Sequence, residues 1–106
     1  MMEPIQVFTS VEKQEDAEKI ASTLIENRLA ACVQIIPRIE SLFWWQGKIE
    51  KAKESLVIIK TRKGLFDEVV SSIKSVHPYE VPEIISMPIL QGNERYIEWL
   101  LKETKG

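Results

Sequence analysis

The chain is poor in the side chains from which catalytic centres and metal sites are usually built. Its 106 residues include one histidine, one cysteine and four glycines. One imidazole and one thiol per chain fall short of the three or four nitrogen or sulfur ligands of a closed zinc site. The glycine-rich phosphate loop and the serine nucleophile elbow are both missing. These absences predict a protein that is not an enzyme and that requires no cofactor.

The single cysteine, Cys32, excludes an internal disulfide. It stands in an apolar run between Ala31 and Val33, with no histidine or basic residue beside it in sequence. A free cysteine in such a setting behaves as a small hydrophobic side chain, because nothing lowers the pKa of its thiol. We therefore interpret Cys32 as a packing residue.

The sequence also lacks a strong charge of either sign and any long apolar run. Its net charge is −2, and acidic and basic residues alternate without a basic block, so nucleic acid is not predicted as a partner. No window approaches the ~20 consecutive apolar residues of a membrane span, and no signal peptide is recognisable. We expect no membrane association, a cytoplasmic location and a single domain over residues 1–106.

The hydrophobic pattern predicts an alternation of strands and helices. Strands are expected at residues 5–9, at 29–45, from the turn at 46–47 through 55–60, and at 83–87. Helices are expected at 12–28, from Gly64 to His77-Pro78 and after Asn93. Ser10 is the expected cap of the first helix. The order βαββαβ with an extra terminal helix predicts an α+β, ferredoxin-like (split βαβ) fold.

The second predicted strand is unusually long, and it forms a hairpin with the return strand through a turn at Gln46-Gly47. A typical strand has about 5–6 residues, so the distal part of this hairpin must project from the sheet. Leu42 and Trp44 point to one face of it, and Phe43 and Trp45 to the other. An apolar arm on both faces indicates an interface between copies of the chain.

Three separated segments, LAACVQIIPRIESLFWWQGKIE, IIKTRKG and HPYEVPEI, resemble the CutA divalent-cation-tolerance family. The resemblance covers almost the whole chain. It implies a small ferredoxin-like subunit that assembles as a compact homotrimer, similar in architecture to the PII signal-transduction proteins. It also implies a part in tolerance of divalent cations such as copper, with weak metal binding at an intersubunit cleft.

His77 is the first candidate for a metal ligand, together with Glu80 and Glu83 in the same proline-bracketed loop. An imidazole and carboxylates can hold copper or another divalent cation. A histidine that ends a helix also has a purely structural explanation, because its charge suits the helix dipole. Some members of the CutA family have two adjacent histidines at this position and a cysteine at the end of the first strand. This chain has Val76 and Thr9 at those positions, so only weak binding is expected.

Lys60, Arg62 and Lys63 form a second candidate site just before the second long helix. A helix N-terminus with nearby cations can bind an anion, although the segment lacks the several glycines of a phosphate-binding loop. These residues support an alternative function. The chain would then be a PII-like, non-enzymatic signalling or scaffold trimer that binds an anionic metabolite or a protein partner.

Overall fold

In a computed structural model, which describes residues 2–106, the chain forms a four-stranded antiparallel sheet with three helices. The elements are β1 (Pro4–Val11), α1 (Gln14–Glu26), β2 (Cys32–Trp45), β3 (Lys48–Arg62), α2 (Phe66–Val76), β4 (Ile85–Pro88) and α3 (Glu94–Glu103), with a 3-10 turn at Lys63–Leu65. The strand order in the sheet is β2-β3-β1-β4. The predicted α+β class and order of elements are confirmed. None of the described helices has the length and apolar composition of a membrane span.

The main core lies between one face of the sheet and the helices α1 and α2. Val57 and Ile59 of β3 are fully buried and alternate with less buried neighbours. Their side chains therefore point to this face of the sheet. The apolar stripes of the helices cover them, and the buried residues of those stripes are Ala17, Ile20, Leu24, Val69 and Ile73. Each large side chain removed from water contributes about 1.5–3 kcal/mol. The two helices are therefore held on the sheet by their apolar faces.

Helix α3 covers part of the opposite face of the sheet. Lys60 alternates with the buried residues Ile59 and Thr61, so its side chain points away from α1 and α2. Its ammonium lies 5.8 Å from the centre of the Tyr96 ring of α3. Asn93 begins α3 as expected, because its side chain accepts hydrogen bonds from the backbone N–H groups of the first turn. The sheet is thus covered unequally on its two faces.

The β2–β3 hairpin extends well past the end of β1. The last pair between β1 and β3 is Val11 with Ser55, and beyond it residues 39–45 pair only with residues 48–54. We call this two-stranded extension the arm. At roughly 3.3 Å per residue it projects about 23 Å. The turn at Gln46-Gly47 lies where predicted, and both residues have positive φ, as a type I′ hairpin turn requires.

Several predicted boundaries are corrected. The long strand begins at Cys32, not at residue 29, and a bulge at Pro37-Arg38 interrupts its pairing; Arg38 has φ 62°. The return strand, predicted to run from the turn through residues 55–60, spans Lys48–Arg62 and so ends two residues later than expected. Ser10 does not cap α1, because it lies within β1, and α1 follows Lys13 without a side-chain cap.

Thr9 and Thr61 form a matched pair that tests how much a hydrogen bond contributes to stability on the helix-facing side of the sheet. Both are fully buried, but Thr61 Oγ1 donates to the Leu29 carbonyl (2.7 Å), whereas Thr9 Oγ1 has no partner within the part of the chain described. We predict that Thr9→Val raises the free energy of unfolding by about 1 kcal/mol and that Thr61→Val lowers it by about 1–2 kcal/mol. Urea unfolding of both variants measures this. An equal loss in the two variants would contradict the assignment.

Candidate functional site

An open groove of about 830 Å³ lies beside the arm, where β2 and β3 run past the end of β1. The aromatic side chains of Phe43 and Trp45 line it from β2. Glu50 and Glu54 line it from β3, and the segment that joins α2 to β4 lines it through Tyr79 and its neighbours. The groove exists because the arm overhangs the end of β1 and this segment folds beside the overhang.

The groove is strongly acidic. Its lining includes six carboxylates, which are those of Glu12, Glu40, Glu50, Glu54, Glu80 and Glu83. The lysine in the lining, Lys51, is engaged by Glu40 at 3.9 Å, and both side chains are largely exposed. Within residues 2–106, no ion pair involves the other five glutamates. A concave surface lined by one sign of charge raises the local concentration of the opposite ion, here a cation.

His77 is a buried residue at the end of α2, and both of its ring nitrogens are occupied. Nδ1 accepts a hydrogen bond from the Tyr79 backbone N–H at 3.1 Å, and Nε2 lies 2.9 Å from the Ser10 carbonyl oxygen. Because a carbonyl only accepts, Nε2 must carry the hydrogen and Nδ1 the lone pair. No nitrogen is left for a cation, so the predicted role of His77 as a metal ligand does not fit this geometry.

Glu80 and Glu83, the other predicted ligands, are exposed and both line the groove. Over residues 2–106, no group of three histidine, cysteine, aspartate or glutamate side chains is arranged to hold a metal ion. The structure therefore brings the two carboxylates to one groove without the imidazole. What remains is an oxygen-only surface, which suits hard cations better than soft ones.

Glu54 is a groove residue that the sequence analysis did not identify. It is buried, and its Oε2 accepts a hydrogen bond of 2.6 Å from the Tyr79 hydroxyl. Burial, and then the hydrogen bond and negative charge of Glu54, raise the pKa of the Tyr79 hydroxyl well above its ordinary value. Tyr79 therefore remains protonated and donates to Glu54. The only signal in the sequence is that Glu54 lies two positions before the apolar run of β3, which begins at Leu56.

The three predicted anion-binding residues lie away from the groove, at the other end of β3. Lys60 stands over the Tyr96 ring, Arg62 donates to the Lys105 carbonyl, and Lys63 pairs with Glu3 at 3.9 Å. Each cation thus has a partner in its own chain. The geometry does not arrange them around a common cavity.

The four predicted interface residues lie on the arm and are uncovered in a single chain. Leu42 and Trp44 are 66% and 73% exposed, and Phe43 and Trp45 are 43% and 44% exposed. Ile36, Ile85 and Met87 of the sheet are also about half exposed. Apolar surface of this extent usually marks a binding surface.

Comparisons with known proteins agree with this fold. The family model described as CutA1 divalent ion tolerance protein matches residues 5–103. Divalent-cation tolerance protein CutA of Thermus thermophilus is 42% identical over 98 residues, which are 92% of this chain and 95% of that protein. Protein CutA 1, chloroplastic, of Oryza sativa is 45% identical over 101 residues, 95% of this chain and 57% of the plant protein. The chain thus spans little more than half of the plant relative.

Solved structures show the same similarity. The crystal structure of CutA1 from Oryza sativa has a TM-score of 0.95 and 44% identity, covering 97% of this chain and 94% of that chain. The periplasmic divalent cation tolerance protein CutA from Archaeoglobus fulgidus has a TM-score of 0.93 and 40% identity, covering 96% and 99%. The structural similarity therefore extends over 96–97% of this chain.

His77 can be tested as a structural residue. We predict that His77→Ala lowers the free energy of unfolding by about 1–3 kcal/mol, because it leaves the Ser10 carbonyl and the Tyr79 N–H without their buried partner. The control is Glu83→Ala, whose exposed side chain should change stability by less than about 0.5 kcal/mol. Thermal unfolding compares the two. A His77→Ala protein as stable as the parent would show that the imidazole bonds do not hold this segment.

Proposed function

The chain belongs to the CutA1 divalent ion tolerance family, and we propose that it acts in divalent-cation tolerance as a homotrimer that binds cations such as copper weakly. It acts without catalysis. The observation that carries the proposal is the groove in which five carboxylates have no ion pair within the described chain. Glu80 and Glu83 are the proposed contacts, because their exposed oxygens are accessible to a hydrated cation.

The proposed trimer is supported by the arm. The aromatic residues of the arm lie beyond the end of β1, where no third strand of the same chain pairs with the hairpin. Within residues 2–106, β4 also leaves one edge of the sheet without a partner. A second copy could cover both, by pairing at an edge strand. The groove borders the arm, so assembly would convert it into an intersubunit cleft, in an architecture similar to that of the PII proteins.

The alternative function, a PII-like signalling or scaffold trimer for an anion or a protein partner, has less support. Lys60, Arg62 and Lys63 already have partners in the same chain, and an anion would have to displace them. The cytoplasmic location stays a prediction. The rice relative is named chloroplastic and the Archaeoglobus fulgidus protein periplasmic.

The trimer proposal predicts that the parent chain remains trimeric in native mass spectrometry at low micromolar concentration. Replacing Trp44 and Trp45 together by Ser should shift it toward monomer, because each buried apolar Å² contributes about 25 cal/mol. His77→Ala should shift it far less. A stable monomer of the parent chain at that concentration would remove the basis of the proposal.

The cation proposal predicts weak binding of copper(II) and zinc in titration calorimetry, without a strong preference for copper(I). Glu80→Gln combined with Glu83→Gln should reduce the affinity severalfold, because it removes two oxygen ligands and two negative charges. The control, Glu18→Gln combined with Glu98→Gln, makes the same change of net charge on exposed helical positions outside the groove. Equal losses in both double variants would indicate a general charge effect and contradict a site in the groove.

A further inference from the structure

Glu54 differs from the other carboxylates of the groove because it is buried. It is 6% exposed, its one hydrogen-bond donor is the neutral Tyr79 hydroxyl, and no lysine or arginine of residues 2–106 pairs with it. A buried carboxylate is costly unless a cation or several donors compensate it. We propose that the groove is a binding site for an alkylammonium group, which pairs with the carboxylate of Glu54.

The walls of the groove favour an organic cation over a metal ion. Phe43, Trp45 and Tyr79 line it together with the carboxylates. Aromatic faces attract ammonium groups and also bury the methylene chain that carries them. A hydrated divalent ion gains little from such walls. The volume of about 830 Å³ lies in the range of sites for small organic molecules. The inference therefore goes beyond the divalent cations of the proposed function.

Tyr79 prepares Glu54 for such a ligand. The hydroxyl stays protonated and donates to Oε2, which holds the carboxylate in one orientation. No side-chain donor of the described chain bonds to the other oxygen, Oε1, which is not among the fully enclosed polar atoms and so is open to the groove. An ammonium group entering the groove can donate to Oε1 without breaking the bond from Tyr79. A charge-assisted hydrogen bond formed in this way is stronger than a neutral one.

Two sources share this chemistry, a free polyamine and the lysine side chain of a peptide. The probes are spermidine and a blocked tri-lysine peptide, titrated into the full chain by calorimetry. We expect Glu54→Gln to weaken binding by about ten- to a hundredfold, as for the loss of a charge-assisted hydrogen bond. The matched control Glu98→Gln removes the same charge from an exposed position on α3 and should leave the affinity unchanged. The probe that binds more tightly identifies the source.

Glu54→Gln keeps an acceptor for Tyr79, and its thermal unfolding confirms that the variant is folded. A second variant, Phe43→Leu, keeps an apolar side chain at this proposed interface position, and native mass spectrometry checks that it has the oligomeric state of the parent; it should weaken spermidine binding about two- to fivefold through loss of the aromatic face. Glu54→Gln should weaken spermidine binding more than zinc binding, and Glu80→Gln combined with Glu83→Gln should weaken zinc binding more than spermidine binding, which separates this site from the divalent-cation proposal. Equal spermidine affinity in the parent and Glu54→Gln, or no binding of either probe to the parent, overturns the inference.

Discussion

The length of β3 is the constraint on which the other features of this molecule depend. This strand pairs with β2 along almost its whole length, but with β1 only over residues 55–62. Its first half therefore stands outside the sheet with a single partner. The overhang produces the exposed aromatic residues of the arm, and it also produces the groove, because the segment after α2 folds into the space that β1 leaves open. Assembly and cation binding are thus consequences of one mismatch in strand length.

The order of elements was predictable because it depends on local patterns of burial. Asn93 and the His77-Pro78 pair mark helix ends by local chemistry, and both lie where expected. The extent of β3 was not predictable in this way. Residues 48–54 are mostly polar and exposed, since backbone pairing with β2 holds them in place and burial does not. A method that reads strands from hydrophobicity misses such a segment.

The roles of the site residues depended on contacts between distant positions. Whether His77 is a ligand or a structural residue is decided by the Ser10 carbonyl, 67 positions away, and by the backbone of Tyr79. The importance of Glu54 likewise depends on Tyr79, 25 positions further along the chain. Sequence reasoning could place Glu80 and Glu83 in one segment. It could not show which side chains the fold encloses, because that is set by tertiary packing.

The bulge at Pro37-Arg38 has a consequence for changes in chain length. Before it, Ile36 lies opposite Leu56, and after it, Ile39 lies opposite Glu54, so β2 gains one residue relative to β3. Side chains alternate along a strand, and one extra residue exchanges the faces. Phe43 and Trp45, rather than Leu42 and Trp44, therefore share the face of Glu54. Deleting one residue here would remove the bulge and leave Phe43 opposite Glu50 on the same face, whereas deleting two would shift the register by one residue and turn the groove-lining aromatic residues to the other face without altering any of them.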